Sequence, residues 1–344
     1  MNERRYVGLR TPNGKRAAAA ASDGLPGLAN PRYPLRVRGL AAVVLGGLAL
    51  AGCHREAAKP YEGTRVPAVL APKYFPPEGW AWGTVQAEGG SPVRYGVAAP
   101  SGAPKASVVI AASAGEPAEV YYETARDLIG EGYTVWVLDP GPSPSAGAAA
   151  IHALIDTVVR PKPTDTVVLA GYDYGALEAL IEAEALTPRV DGLAIWSPRL
   201  DEPRGTEAAA KVKVGLGGFA ADGERAWSQP NVDLSARATL PLAWEAENPR
   251  LRPGPRPWSW FDNAAVAADQ AADPARLRLL RMPVLVIAPA ADARVNKLCN
   301  ALAHCQRTPS DAAPHLAPDA ARGPWLQALL QFVAARAAEH AHGL

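Results

Sequence analysis

The 344-residue sequence is 48% hydrophobic and 20% charged, which supplies a large core and excludes a chain kept unfolded by its own charge. The formal net charge of +1 hides an asymmetry: residues 1–52 hold eight Lys and Arg against two Asp and Glu, leaving 27 basic and 32 acidic side chains in the rest. A mildly acidic body without a basic stripe excludes nucleic acid as an expected partner. In chain order, an apolar run from Gly39 to Leu50 follows Arg36 and Arg38 and ends in Leu50-Ala51-Gly52-Cys53; it is too short to span a bilayer. Residues 53–79 are rich in Pro and charge and lack periodicity, so they are expected to form a tether. From Trp80 short apolar runs alternate with helical stretches. Strands are expected near 81–86, 93–98, 106–111, 133–138, 165–170, 191–196 and 283–288, and helices near 117–130, 147–159, 175–186 and 268–280. Runs such as SVVIAA, TVWVLD, TVVLAG and PVLVIA are apolar without alternation, the pattern of parallel strands covered on both faces. The expected fold class is therefore α/β, a doubly wound, mostly parallel sheet spanning 80–340. Residues 200–265 break the rhythm with Trp227, Trp244, Trp258 and Trp260 among many Pro and Arg. An insertion there lies at the carboxyl end of the sheet and is expected to form a lid over the ligand crevice.

The first 53 residues resemble a bacterial lipoprotein signal peptide with its lipobox: small residues precede Cys53, whose thiol would take the diacylglyceryl group. The resemblance implies that residues 1–52 are a leader and that the chain meets the membrane through Cys53. It further implies a cell-envelope location, at the periplasmic face of the outer membrane, because His54 stands where an inner-membrane lipoprotein tends to have Asp. Export implies an oxidising compartment. Cys299 and Cys305 could pair there if a helix ends between them, since six residues of continuous helix would hold their Cα atoms out of reach. Two free buried thiols are the alternative.

The stretch LAGYDYGALEAL, residues 169–180, has the outline of the nucleophile elbow G-x-S-x-G, with Asp173 at the centre. Together with EVYYETARDLIGEGYTVWVLD (119–139), RVDGLAIWSPRL (189–200), MPVLVIAPAADARV (282–295) and PHLAPDAARGPWLQALLQFVAAR (314–336), it resembles the bacterial lysophospholipase and monoacylglycerol-lipase branch of the α/β-hydrolases. The resemblance covers roughly residues 80–336. It implies an α/β-hydrolase fold with a triad of nucleophile Asp173, acid Asp292 and base His315, and an oxyanion hole from the amides of Ala114 and Tyr174. Helix N-capping is the alternative role for Asp292. The sequence departs from the family at the missing hydroxyl of residue 173, in the loop AASAGEP, and in the fourth-strand exit DPGPSPSAG.

A carboxylate attacking an ester would form a reactive anhydride, so acyl hydrolysis by the family mechanism does not follow. Asp173 suits attack at a saturated carbon instead, as in the haloalkane dehalogenase and epoxide hydrolase branches, whose elbow G-x-D-W-G is similar to Gly171–Gly175. Two functions are therefore expected: a hydrolase of a small hydrophobic or lipid-like substrate, or a non-catalytic binding or envelope-interaction module. Neither requires a metal or cofactor.

Overall fold

The computed structural model describes residues 63–159, 165–183, 190–310 and 319–341. Cys53 and His315 lie outside the described residues. Eight strands, β1 (Ala81–Val85), β2 (Val93–Ala98), β3 (Ser107–Ala111), β4 (Thr134–Leu138), β5 (Val167–Tyr172), β6 (Gly192–Trp196), β7 (Val284–Ala288) and β8 (Cys305–Pro309), form one sheet in the order β1-β2-β4-β3-β5-β6-β7-β8. The pairs β1–β2 and β2–β4 are antiparallel and the remainder parallel. Apolar side chains leave both faces, as continuous hydrophobic runs require. In β3, Val109 and Ala111 join the core with helices Pro144–Leu154, Tyr174–Ala183 and Trp258–Ala271, while Val108 and Ile110 join the opposite core with Tyr122–Gly130, Leu240–Glu247 and the C-terminal helix Asp319–Ala341. Among the described residues no helix is long and apolar enough to cross a membrane.

Three departures from the sequence pattern have local causes. The segment after Cys305 has no apolar run, yet it forms β8. An edge strand is half-exposed and needs only backbone pairing, here with β7, and the Cys299–Cys305 disulfide ties its first residue to the preceding helix. The helix expected at 268–280 is instead Trp258–Ala271 followed by the short Pro274–Leu277, because Asp273 and Pro274 stop one helix and open the next as cap and first residue. The tether expected to reach residue 79 is laid against the domain from Arg65 onward. Leu70 and Tyr74 are buried in the core, Arg65 and Asn248 exchange two hydrogen bonds, and Arg126 donates to the carbonyls of Lys73 and Phe75.

The elbow depends on close backbone approach. A Cβ on Gly171 would lie 2.5 Å from the carbonyl oxygen of Gly175, and one on Gly175 would lie 2.2 Å from that of Ala111 in β3. Neither neighbour is a side chain that can swing away. Gly175→Ala is therefore expected to cost about 3 kcal/mol by overpacking, measured as a lowered denaturant midpoint at unchanged slope; a wild-type midpoint would contradict this contact.

Candidate functional site

Asp173 stands directly beyond the last pair of β5 and β6, Tyr172 with Trp196, in left-handed backbone at φ +51°. Ser197, directly beyond the same pair on β6, is also left-handed at φ +40°. Left-handed backbone costs a non-glycine residue of the order of 1 kcal/mol. Main-chain hydrogen bonds hold it here: the Asp173 amide donates to Trp196 O, and the Arg199 amide donates to Asp173 O. The two turns thus lie side by side.

The Asp173 carboxylate is engaged on both oxygens. Arg199 Nε donates to Oδ1 at 2.9 Å, and Ser113 Oγ, on the loop beyond β3, donates to Oδ2 at 2.9 Å. The strand order β3-β5-β6 is what sets these three exits in a row. Ser113 is buried, whereas the Arg199 and Asp173 side chains keep 39% and 20% of their exposure, so the ion pair is a covered one with some access to water. Burial works against the charge on Arg199, but Asp173 and its other partners raise its pKa overall. Burial first, then Glu116 and Asp173, push the Tyr172 phenol up to about 12.

Tyr174, the residue expected to give an oxyanion amide, opens the helix Tyr174–Ala183. Its hydroxyl donates to Glu202, its ring lies under the Arg199 guanidinium at 5.1 Å, and it packs edge-on against Trp260 with centroids 4.9 Å apart. Burial first, and then Glu202, raise its pKa. Three residues from β6 onward therefore clamp the elbow: Arg199, Glu202 and Trp260. Ala114 adjoins Ser113 and lines a cavity. Asp292 caps the helix Ala293–Ala301, its Oδ1 accepting from the amides of Arg294 (2.9 Å) and Val295 (3.2 Å). The structure thus brings Asp173 together with Ser113 and Arg199, places Tyr174 beside them, and uses the Asp292 carboxylate on a helix end. The helix holding Cys299 stops at Ala301, and Cys305 opens β8, which lets the two form a disulfide with Cα atoms 5.4 Å apart.

The cavity, about 780 Å³, lies between the exits of β3 and β4 and the insertion. This is within the range of small-molecule sites. Its wall includes Trp227, Trp260 and several prolines, with Glu116, Glu245 and Arg225 among the charged side chains. Neither Asp173 nor Arg199 lines it; the Trp260 ring stands between cavity and elbow, touching Tyr174. Asp139, where the fourth-strand exit begins, lines the cavity, but its carboxylate accepts from Arg94 and from the Ala118 amide. Of the four insertion tryptophans, Trp244, Trp258 and Trp260 are buried, and Trp227 is half-buried with its indole donating to Glu245.

No family model matches the sequence, and no curated protein does. Solved structures do match its shape. A lipase in an open form is 18% identical over 75% of this chain and 99% of its own, with a TM-score of 0.59. A thermostable carboxyl esterase from Bacillus coagulans, in complex with glycerol, is 13% identical over 76% and 100%, with a TM-score of 0.61. A monoacylglycerol lipase from Paleococcus ferrophilus is 17% identical over 70% and 98%, with a TM-score of 0.53. The fold is that of the α/β-hydrolases. At these identities the likeness speaks for the fold alone, and the chemistry rests on this chain's own side chains.

Sequence reasoning did not find Ser113, Arg199 or Glu202. The available signal was topological: Arg199 is the first charged side chain beyond the strand next to β5, and a carboxylate at a strand exit needs a neighbour of opposite charge. Two further acids were also missed. Glu178, on the elbow helix, is buried against Gly147, and burial alone holds its pKa well above the usual carboxylate range. Glu245 is pushed up to about 7, by burial first and by Glu116, against the lowering effect of Trp227 and Arg252. A raised carboxyl pKa means the folded state favours the neutral form. The stability this gives is complete below the ordinary value of 4.5 and is lost as pH rises to about 7. Thermal midpoints are thus expected to fall between pH 4.5 and 7, more shallowly in Glu245→Gln; equal slopes in the two proteins would show that Glu245 does not titrate in this window.

Proposed function

We propose that this chain is a non-catalytic binding protein built on an α/β-hydrolase fold, lipid-tethered to the bacterial cell envelope through Cys53. It would hold a hydrophobic small molecule or lipid in the cavity beneath the insertion. One observation carries the reading: both oxygens of Asp173 are already bound, to Arg199 and to Ser113. A nucleophilic carboxylate attacks through a lone pair of one oxygen, and here each oxygen already accepts one hydrogen bond, from a guanidinium and from a buried hydroxyl, which draws on its charge and holds its orientation. The side chain expected to orient a catalytic imidazole, Asp292, supports the same reading by capping a helix. A half-buried Trp, a proline-rich wall and a volume of about 780 Å³ suit an apolar ligand with a polar end.

The competing reading is a hydrolase in which Asp173 attacks a saturated carbon, His315 activates water and Asp292 orients the imidazole. The intact left-handed elbow at φ +51° favours it, provided that Arg199 leaves the carboxylate. The two readings separate in one set of assays. The binding reading expects no turnover on ester, haloalkane and epoxide panels, and affinity for a fluorescent fatty-acid probe that survives Asp173→Asn but drops at least fivefold in Trp227→Ala. Turnover abolished by Asp173→Asn, with heavy oxygen from water entering the Asp173 carboxylate, would establish the hydrolase instead.

The tether has its own test. Cys53→Ser is expected to move the protein from the membrane fraction of the envelope to the soluble periplasm, and wild-type tryptic peptides should carry an acylated N-terminal Cys53. An unmodified Cys53 peptide would remove the lipid anchor.

A further inference from the structure

Of the seven ionisable side chains that line the cavity, Glu116, Asp139, Glu224, Arg225, Glu245, Arg250 and Arg256, Glu245 alone is buried, at 3% exposure. It sits near the end of the helix Leu240–Glu247, and its carboxyl is held from one side. The Trp227 indole donates to Oε2 at 2.7 Å. Arg252 fixes that indole in turn, with its guanidinium 3.8 Å from the ring centre and its Nε donating to the Glu245 carbonyl oxygen. Oε1 has no hydrogen-bond partner among the described residues. A buried polar atom left in this way calls for a partner, and the cavity is where one can enter.

The protonation of the carboxyl decides what kind of partner that is. Burial first, with Glu116 adding to it, pushes Glu245 up to about 7, against the lowering effect of Trp227 and Arg252. A neutral acid has one carbonyl oxygen that accepts and one hydroxyl that donates. The indole N–H takes the accepting oxygen, so the proton sits on Oε1 and the wall offers the cavity a hydrogen-bond donor. The remaining charge on the wall is balanced, Glu116, Asp139 and Glu224 against Arg225, Arg250 and Arg256. Asp139 accepts from Arg94, Glu224 from Arg256, and Glu116 from the Tyr121 hydroxyl, while Arg225 and Arg250 are exposed. The turns packed on the Glu245 helix add Glu119, held by Arg94, and Arg237, held by Glu123. A wall balanced in this way favours neither an anion nor a cation, and an uncharged acceptor fits it.

We propose that the cavity, taken as the binding site, selects an apolar ligand with an uncharged carbonyl head, an ester or an amide, which accepts a hydrogen bond from the Oε1 hydroxyl of Glu245. Ionisation removes that donor and sets a lone pair against the carbonyl. Affinity is therefore full while the carboxyl is neutral and is lost as pH rises through its ionisation.

The test uses the full chain and the N,N-dimethylamide of a pyrene-labelled fatty acid, an uncharged acceptor with no donor of its own, beside the matching primary amine. Wild-type affinity for the amide is expected to fall about tenfold from pH 5.5 to pH 8.5. In Glu245→Gln, whose side chain accepts from the indole and donates to the ligand at every pH, it should stay within about twofold of the acidic wild-type value. A wild-type affinity that does not change with pH would overturn the proposal. So would an equal fall in Glu245→Gln, which would place the titration on another group such as the buried Glu178, or tighter binding of the amine than of the amide at pH 5.5, which would assign a cationic head. Failure of both probes to bind at any pH would overturn the cavity as an apolar site along with its head group, so the two failures are told apart.

Discussion

A negative charge at the carboxyl end of a central parallel strand must be neutralised, and at this elbow that requirement organises everything around it. Asp173 emerges between the exits of β3 and β6, and each exit contributes one donor: the Ser113 hydroxyl and the Arg199 guanidinium. Removing a covered charge's partner costs far more than the pair contributes, so the three residues act as a unit. Arg199 also starts the segment that becomes the insertion. The ion pair therefore fastens the root of the insertion to the sheet, and the bond from Tyr174 to Glu202 and the contact of Tyr174 with Trp260 fasten it twice more. The elbow is thus the anchorage of the structure above it.

The fold was legible because buried parallel strands write themselves as unbroken apolar runs, and five of them, β3 to β7, stand within a few residues of where the sequence places them, as do the antiparallel β1 and β2. β8 was not legible for the complementary reason. At a half-exposed edge, the backbone ladder and a disulfide suffice, and CQRTP carries no hydrophobic signature. The segment 65–79 misled in another way: its prolines and charges have the composition of a linker, while two side chains, Leu70 and Tyr74, suffice to dock it. The site was legible in position more than in partnership. A motif marks Asp173, whereas Ser113 and Arg199 reach it from stretches about sixty residues before it and twenty-six after, joined only by the strand order.

Asp292 shows how one residue can satisfy a family pattern and a helix cap at the same position. An Asp after a strand and before a helix is what an N-cap requires, and its carboxylate oxygen meets two helix amides. The same position in the same fold suits a catalytic acid, so sequence alone leaves both roles open. The insertion tryptophans divide along a similar line. Trp244 and Trp258 fill core, Trp260 is buried between core and cavity wall, and Trp227 is half-buried at that wall with its indole on Glu245. That bond, with Arg252 over the Trp227 ring at 3.8 Å, holds one rim of the cavity without any reference to the elbow.

The glycines of the elbow explain why the turn is indifferent to the chemistry of its central residue. Gly171 is required because a Cβ there would strike the Gly175 carbonyl, and Gly175 because a Cβ there would strike β3. Both requirements come from packing a helix against a strand after a tight turn, and they are the same whether the central residue is serine or aspartate. The left-handed turn is in turn held by main-chain bonds to Trp196 and Arg199, which are indifferent to side-chain chemistry. A glycine-bracketed elbow therefore testifies to an α/β-hydrolase fold and leaves open whether its central side chain reacts. That second question turns on the groups around the side chain, among which are a guanidinium and a buried hydroxyl that hold its charge in place.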